Sequence, residues 1–183
     1  MATQSSSSVA STGNNQFLKF ISLLSSVSGW VAAGMILLAV IITCQMIIVR
    51  FVLNQSTIWQ TEFVIYLMIA ATLLGLPYVQ RLRGHVNVDL LPLMLPMGMR
   101  RLLAIITLLA AIGIVGMITV YGYEFWYEAW SRNWKSDTVW GVRLWIPYLA
   151  LPVGFTLYLI QLLADLVALL LRIDTPFSLP EDK

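Results

Sequence analysis

An all-α membrane protein with four transmembrane helices and a short interfacial segment between the second and third is the fold class that three observations predict. Of 183 residues, 59% are hydrophobic and only 11% charged, with a mean hydropathy of +0.82, whereas a soluble domain carries about a quarter charged residues. Charged residues are absent between Lys19 and Arg50, Glu62 and Arg81, Arg101 and Glu124, and Arg143 and Asp165. Each gap suits a hydrocarbon core of about 30 Å, which about 20 helical residues cross. Unpaired backbone amides are intolerable in lipid, and no segment shows the ten-residue alternation of a barrel, so the spans read as helices.

The predicted order is a polar tail over 1–16, a four-helix domain over 17–172 with spans at about 28–49, 59–79, 102–123 and 144–164, and a C-terminal tail over 173–183. The Ser-, Thr-, Asn- and Gln-rich start has no basic residue and reads as a disordered tail rather than a signal peptide. Span one carries Ser25, Gly29 and Ala33 at four-residue spacing, a small-residue stripe that admits a neighbouring helix. Cys44 is the only cysteine, which excludes an internal disulfide or a dithiol redox centre.

Span two begins Thr57-Ile-Trp59-Gln60, which fits a capping box in which Thr57 and Gln60 satisfy free amides. Glu62 sits a turn inside, where the positive end of the helix dipole favours its charge. An intramembrane acid could relay protons, but at this depth Glu62 reads as a group that reaches water or pairs with a base on a neighbouring helix. After the span, Arg81, Arg83, Arg100 and Arg101 flank an apolar stretch broken by Pro92 and Pro96, too short to cross and suited to the interface of an anionic-lipid membrane.

Span three holds Ala110, Gly113 and Gly116, a second face open to close contact. It runs into Tyr121-Gly-Tyr-Glu124-Phe-Trp126-Tyr-Glu128-Ala-Trp130, which reads as an interfacial aromatic belt and as candidate anchors for a protein partner. Glu124 and Glu128 share a face, but no histidine or further acid stands near to complete a metal site. Glu128 instead precedes Arg132 by four, the spacing of a helix-surface ion pair. Span four contains Pro147, Pro152 and Gly154, which predict a kink, and places Gln161 and Asp165 on one side near its end, with Arg172 beyond, as a short ionic latch among helices.

Orientation follows the Lys and Arg distribution. Lys19, Arg81, Arg83, Arg100, Arg101, Arg172 and Lys183 lie on one side, against Arg50, Arg132, Lys135 and Arg143 on the other, so both termini are expected in the cytoplasm. His85 is the only histidine, which excludes a bis-histidine haem within the chain and any multi-histidine metal site. Charged residues near the middle of a span, and broken helices in matching halves, are the marks of a transport pathway, and neither is present. The chain therefore reads as a packing subunit, neither an enzyme nor a cofactor protein.

The sequence Trp59-x-x-Glu62, a span ending Leu74-Gly75, then Arg81-x-x-x-His85-Val-x-Val-Asp89 and a later Arg100-Arg101, resembles the DctQ-like small membrane subunit of tripartite ATP-independent periplasmic (TRAP) transporters. Leu144-Trp-Ile-Pro147-Tyr followed by Leu151-Pro152-Val-Gly154-Phe is similar to that family's last helix, and the resemblance covers about residues 20–172. It implies residence in a bacterial inner membrane, a large permease subunit as partner, a periplasmic solute-binding protein that delivers an organic acid or related solute, and a sodium gradient as the energy source. The small subunit would brace the large one. Trp59 and Glu62 would then be structural or interface positions, and Arg81, His85 and Asp89 would fix the loop after span two. Two other classes compete: an autonomous small carrier using Glu62 as its cation site, and a membrane anchor of a redox enzyme with His85 near a cofactor.

Overall fold

The computed structural model describes residues 16–82 and 97–170, with side chains left aside at residues 16–18, 97, 98 and 100. Helix α1 spans Gln16–Phe51, α2 Ile58–Arg81, α3 Met97–Ser131, α4 Trp145–Tyr148 and α5 Ala150–Leu170. Four membrane-length stretches result, with α4 and α5 together forming the fourth, Trp145–Leu170. The proposed interfacial segment and both tails lie outside the described residues, as do Arg83, His85, Asp89 and Arg172.

The helices are arranged α1, α2, α5, α3, each packed along the next, and α1 also touches α5 lightly. α1 and α3 thus form the margins of the bundle. One end holds Arg81, Arg101 and Leu169 and is called the arginine end; the other holds Trp59, Trp126, Trp130, Trp140 and Trp145 and is called the tryptophan end.

α1 is apolar all round, so hydropathy does not choose its buried face. Shape does. Ile21, Ser25, Ser28, Ala32, Met35, Ala39, Ile42, Met46 and Val49 are all buried or half-buried, and their alternating three- and four-residue steps are a heptad seam. Of the stripe expected from sequence, Ser25 and Gly29 join the contact, but Ala33 is exposed. A 3.5-residue repeat keeps a seam on its partner, whereas four-residue steps drift around the helix.

The α1–α2 register is antiparallel and constant. A Cβ at Gly75 would lie 3.7 Å from Ala32, and Thr61 Oγ1 lies 3.4 Å from Met46 Sδ. Between those contacts the chain advances fourteen residues on α1 and retreats fourteen on α2. At Gly29 the ring of Tyr78 occupies the space a Cβ would need, which explains why this position has no side chain.

α2 and α5 meet closely at Gly154, where an added Cβ would stand 2.8 Å from both Leu73 Cβ and the Leu73 carbonyl oxygen. Pro77 is inside α2 and fully buried. It has no N–H to donate back to Leu73, so that carbonyl is free to face the glycine.

Pro152 likewise leaves the Tyr148 carbonyl without its helical donor, and the chain divides into α4 and α5 at Leu149. The expected kink is therefore a short break, bridged by Val153 N–H donating to Leu149 O at 3.3 Å.

Candidate functional site

Among the described residues, the polar side chains of the bundle interior gather at its two ends. At the arginine end, Ser25 Oγ donates to Gln161 Oε1 at 2.6 Å, Gln161 Nε2 to Asp165 Oδ1 at 2.8 Å, and Gln80 Nε2 to Asp165 Oδ2 at 3.0 Å. Gln161 is only 5% exposed. This chain of amides, hydroxyl and carboxylate joins α1, α2 and α5, and interhelical hydrogen bonds serve as glue where lipid supplies no hydrophobic drive.

Arg81 adds a second tie by donating to Ser22 O at 2.9 Å and to the Ser26 hydroxyl. Arg101 donates to Leu169 O at 2.8 Å and reaches Leu170 O at 3.5 Å. It supplies a cation and donors to the last carbonyls of α5, which a helix C-terminus leaves unpaired and partly negative. Arg100 lies on the first turn of α3, and nothing is assigned to its side chain.

Of the expected ionic latch, Gln161 and Asp165 bond to the neutral side chains of Ser25 and Gln80 on the other helices, and Arg172 lies outside the described residues. Gln80 sits just past the apolar run that marks span two, so span counting overlooked it. The signal was there, because a residue at this register faces the same neighbour as Pro77 and Leu73, three and seven positions back.

At the tryptophan end, residues 132–144 fold back over the bundle. α3 stops in a Schellman motif: Asn133, at φ 52°, sends its N–H to Trp130 O, and Trp134 N–H reaches Ala129 O, both at 3.0 Å. A hairpin follows, with Lys135 and Arg143 paired across it, Ser136 N–H on Val142 O at 2.9 Å, and Gly141 at φ +58° closing a turn onto Thr138 O. Its tip places Trp140 against Trp59, with ring centres 6.5 Å apart, and edge-on to Phe63 at 6.3 Å.

Glu62 accepts a hydrogen bond from the Ser136 hydroxyl. Its partner is therefore a neutral group on the hairpin rather than the base expected from a neighbouring helix. The carboxylate fastens the hairpin to the first turns of α2. Ser136 was invisible to sequence reasoning because 74 residues separate it from Glu62.

The expected capping box does not form. Thr57 has no side-chain cap bond at φ −116°, ψ 26°, since a capping hydroxyl reaches the amides of the next turn from an extended backbone. Thr57 instead uses its carbonyl, which receives Thr61 N–H at 3.1 Å, and Gln60 turns inward at 3% exposure.

Trp126 donates its indole N–H to Trp145 O at 3.1 Å, crosses Trp130 edge-on at 5.0 Å, and Trp130 stacks on Trp145 at 5.4 Å. Two of the aromatics singled out from sequence thus hold α4 against α3. Glu128 forms the anticipated ion pair with Arg132, 3.0 Å apart, and Glu124 is exposed beside it. No group of three or more His, Cys, Asp or Glu side chains among the described residues is placed to hold a metal. The arrangement joins helices and caps helix ends.

The chain is 28% identical over 132 residues to the C4-dicarboxylate TRAP transporter small permease protein DctQ of Pseudomonas aeruginosa, covering 71% of this chain and 63% of that protein. It is 21% identical over 138 residues to the protein of the same name from Vibrio cholerae, covering 64% of this chain and 60% of that one. The chain thus matches a little under two thirds of the length of either relative. Residues 39–172 match the family described as tripartite ATP-independent periplasmic transporters, DctQ component. With four membrane-length helices and that match over most of its length, the chain is a multi-pass membrane protein and a transporter component rather than an enzyme, and it belongs to the DctQ family of TRAP transporter small permease subunits.

Proposed function

We propose that this chain braces a large ion-coupled permease subunit of a TRAP transporter in the inner membrane. The large subunit would import an organic acid or related solute, using a sodium gradient, after delivery by a periplasmic binding protein. The observation that carries the reading is the distribution of polarity. The middles of the spans carry no charged residue, and hydrogen bonds at the two ends tie helices together and fasten the hairpin, while Gln60 Oε1 and Glu62 Oε2 are buried without a hydrogen-bond partner. A rigid slab with α1 and α3 at its margins and apolar residues such as Leu37, Ile41, Ile106 and Leu109 exposed along them suits a subunit that lies against a larger membrane protein.

The Lys and Arg distribution supports placing the arginine end in the cytoplasm, with the hairpin over 132–144 facing the binding protein. Arg81 and Arg101 would then lie at the anionic inner leaflet. The relatives' names specify C4-dicarboxylates; for this chain the proposal stays with organic acids, because no solute-contacting residue is assigned to it.

Affinity purification of the tagged chain tests the reading and should recover a much larger multi-span protein in a fixed ratio. Recovery of a homo-oligomer alone, with sodium-dependent uptake intact in vesicles containing only this chain, would sink it. That outcome would restore the autonomous carrier.

A further inference from the structure

A groove of about 560 Å³ opens on the surface between α3 and the start of α5, lined by Met117, Ile118, Tyr121, Glu124, Glu128 and Leu151 among others. Its position along the membrane normal follows from the helix. Arg101 lies where α5 ends, at one boundary. Met117 is sixteen residues further along α3, about 24 Å at the helical rise, and Glu124 twenty-three residues, about 35 Å. A hydrocarbon core is about 30 Å thick, so the apolar foot of the groove is among acyl chains and its acidic head is at headgroup level.

The chemistry changes in order along one exposed face. Ala110 and Gly113 come first, and nothing stands within 4 Å of a Cβ built on Gly113. Met117 and Tyr121 follow, 64% and 63% exposed, and then Glu124. Successive steps of three and four residues keep these positions in line. From the membrane centre outward the face therefore offers a smooth apolar strip, a phenol hydroxyl and a carboxylate. Glu128 is already paired with Arg132 at 3.0 Å, while Glu124 has no ion-pair partner among the described residues, which leaves one negative charge for a ligand.

We propose that this groove binds a phospholipid with a primary ammonium headgroup, phosphatidylethanolamine. The ammonium donates to Glu124, the Tyr121 hydroxyl, one turn nearer the core, donates to the phosphate, and an acyl chain runs past Met117 along the Ala110–Gly113 strip. A primary ammonium brings three N–H donors to the carboxylate, which a quaternary one lacks. An anionic glycerol headgroup would meet Glu124 with repulsion.

The test uses the full chain in its purified complex, reconstituted in vesicles containing a photoactivatable phosphatidylethanolamine, with attachment sites mapped by mass spectrometry. Attachment should fall within residues 117–128 and be displaced about tenfold better by unlabelled phosphatidylethanolamine than by phosphatidylglycerol, with phosphatidylcholine between them. Glu124→Gln should abolish that preference and Glu124→Asp retain it, with unchanged thermal unfolding. If Glu124→Gln alters unfolding, Tyr121→Phe replaces it and should weaken attachment severalfold. Equal displacement by all three lipids, unchanged preference in the variants, or crosslinking of a Tyr121→Cys variant to a helix of another subunit would overturn the proposal, the last by showing that protein covers the groove.

Discussion

The two ends of the bundle are held by different kinds of force. At the arginine end, Ser25, Gln80, Gln161 and Asp165 form a directional network in which each member satisfies another. At the tryptophan end, rings of Trp59, Trp126, Trp130, Trp140 and Trp145 make broad contacts, and the Glu62–Ser136 bond pins a hairpin. A hydrogen-bond network tolerates little change of angle or distance, whereas stacked rings accept several geometries at similar energy. The arginine end fixes the register of α1, α2 and α5, and the tryptophan end holds α4 against α3 and places a loop. Between them, Gly154 sets how closely α2 and α5 approach.

The largest effect should come from removing the feature both ends depend on. Gly154→Val would drive a branched side chain into the Leu73 backbone, for a loss of about 3 kcal/mol or more. Thermal unfolding in detergent, followed by circular dichroism, should show both ends failing together. A near-native melting temperature would show that the helices can separate at this point without consequence.

Next comes Gln161→Leu, which strands the Ser25 hydroxyl and takes one of the donors of Asp165, and should cost about 1–2 kcal/mol. Hydrogen exchange should rise in α1 near Ser25 and in α2 near Gln80, while the hairpin keeps its protection. Equal loosening at both ends would contradict the division between them.

Trp140→Ala is the reverse experiment, at about 1 kcal/mol. Limited proteolysis should cut within 132–144 well before α1 or α5 opens. Arg101→Gln removes the cation from the end of α5, for about 0.5–1 kcal/mol, and the loss should shrink at high salt. An unchanged melting temperature at low salt would leave Arg101 without the capping role.

The smallest effect is expected for Glu62→Gln, within about 0.5 kcal/mol, because the amide oxygen still accepts from Ser136. Uptake by the complex should remain near wild type. A loss of uptake without a loss of stability would move Glu62 from tying the hairpin to carrying an ion.

Much of this was legible in the sequence. Charge-free windows located the four spans, and the Pro147–Gly154 segment announced a break that appears as the α4–α5 junction. Glu128 and Arg132 declared their pairing through helix spacing. Other features were not legible for identifiable reasons. Thr57 matched a capping pattern, yet its backbone angle keeps the hydroxyl from the amides. Ala110 and Gly113 resembled the small residues of span one but face outward.

By itself the sequence determined the number of the spans, the polar character of their ends and the poverty of reactive groups. These follow from composition and one-dimensional spacing, because lipid forbids long charged or unpaired segments. Only the tertiary structure decided which faces meet. In a membrane a residue exposed to lipid and one buried in protein are equally apolar, so hydropathy separates neither Ala32 from Ala33 nor Gly154 from Gly113. Shape made that choice: a ring of Tyr78 over Gly29, a carbonyl freed by Pro77 beneath Gly154, and a heptad register that brings Ser25 to α5 and Arg81 to α1.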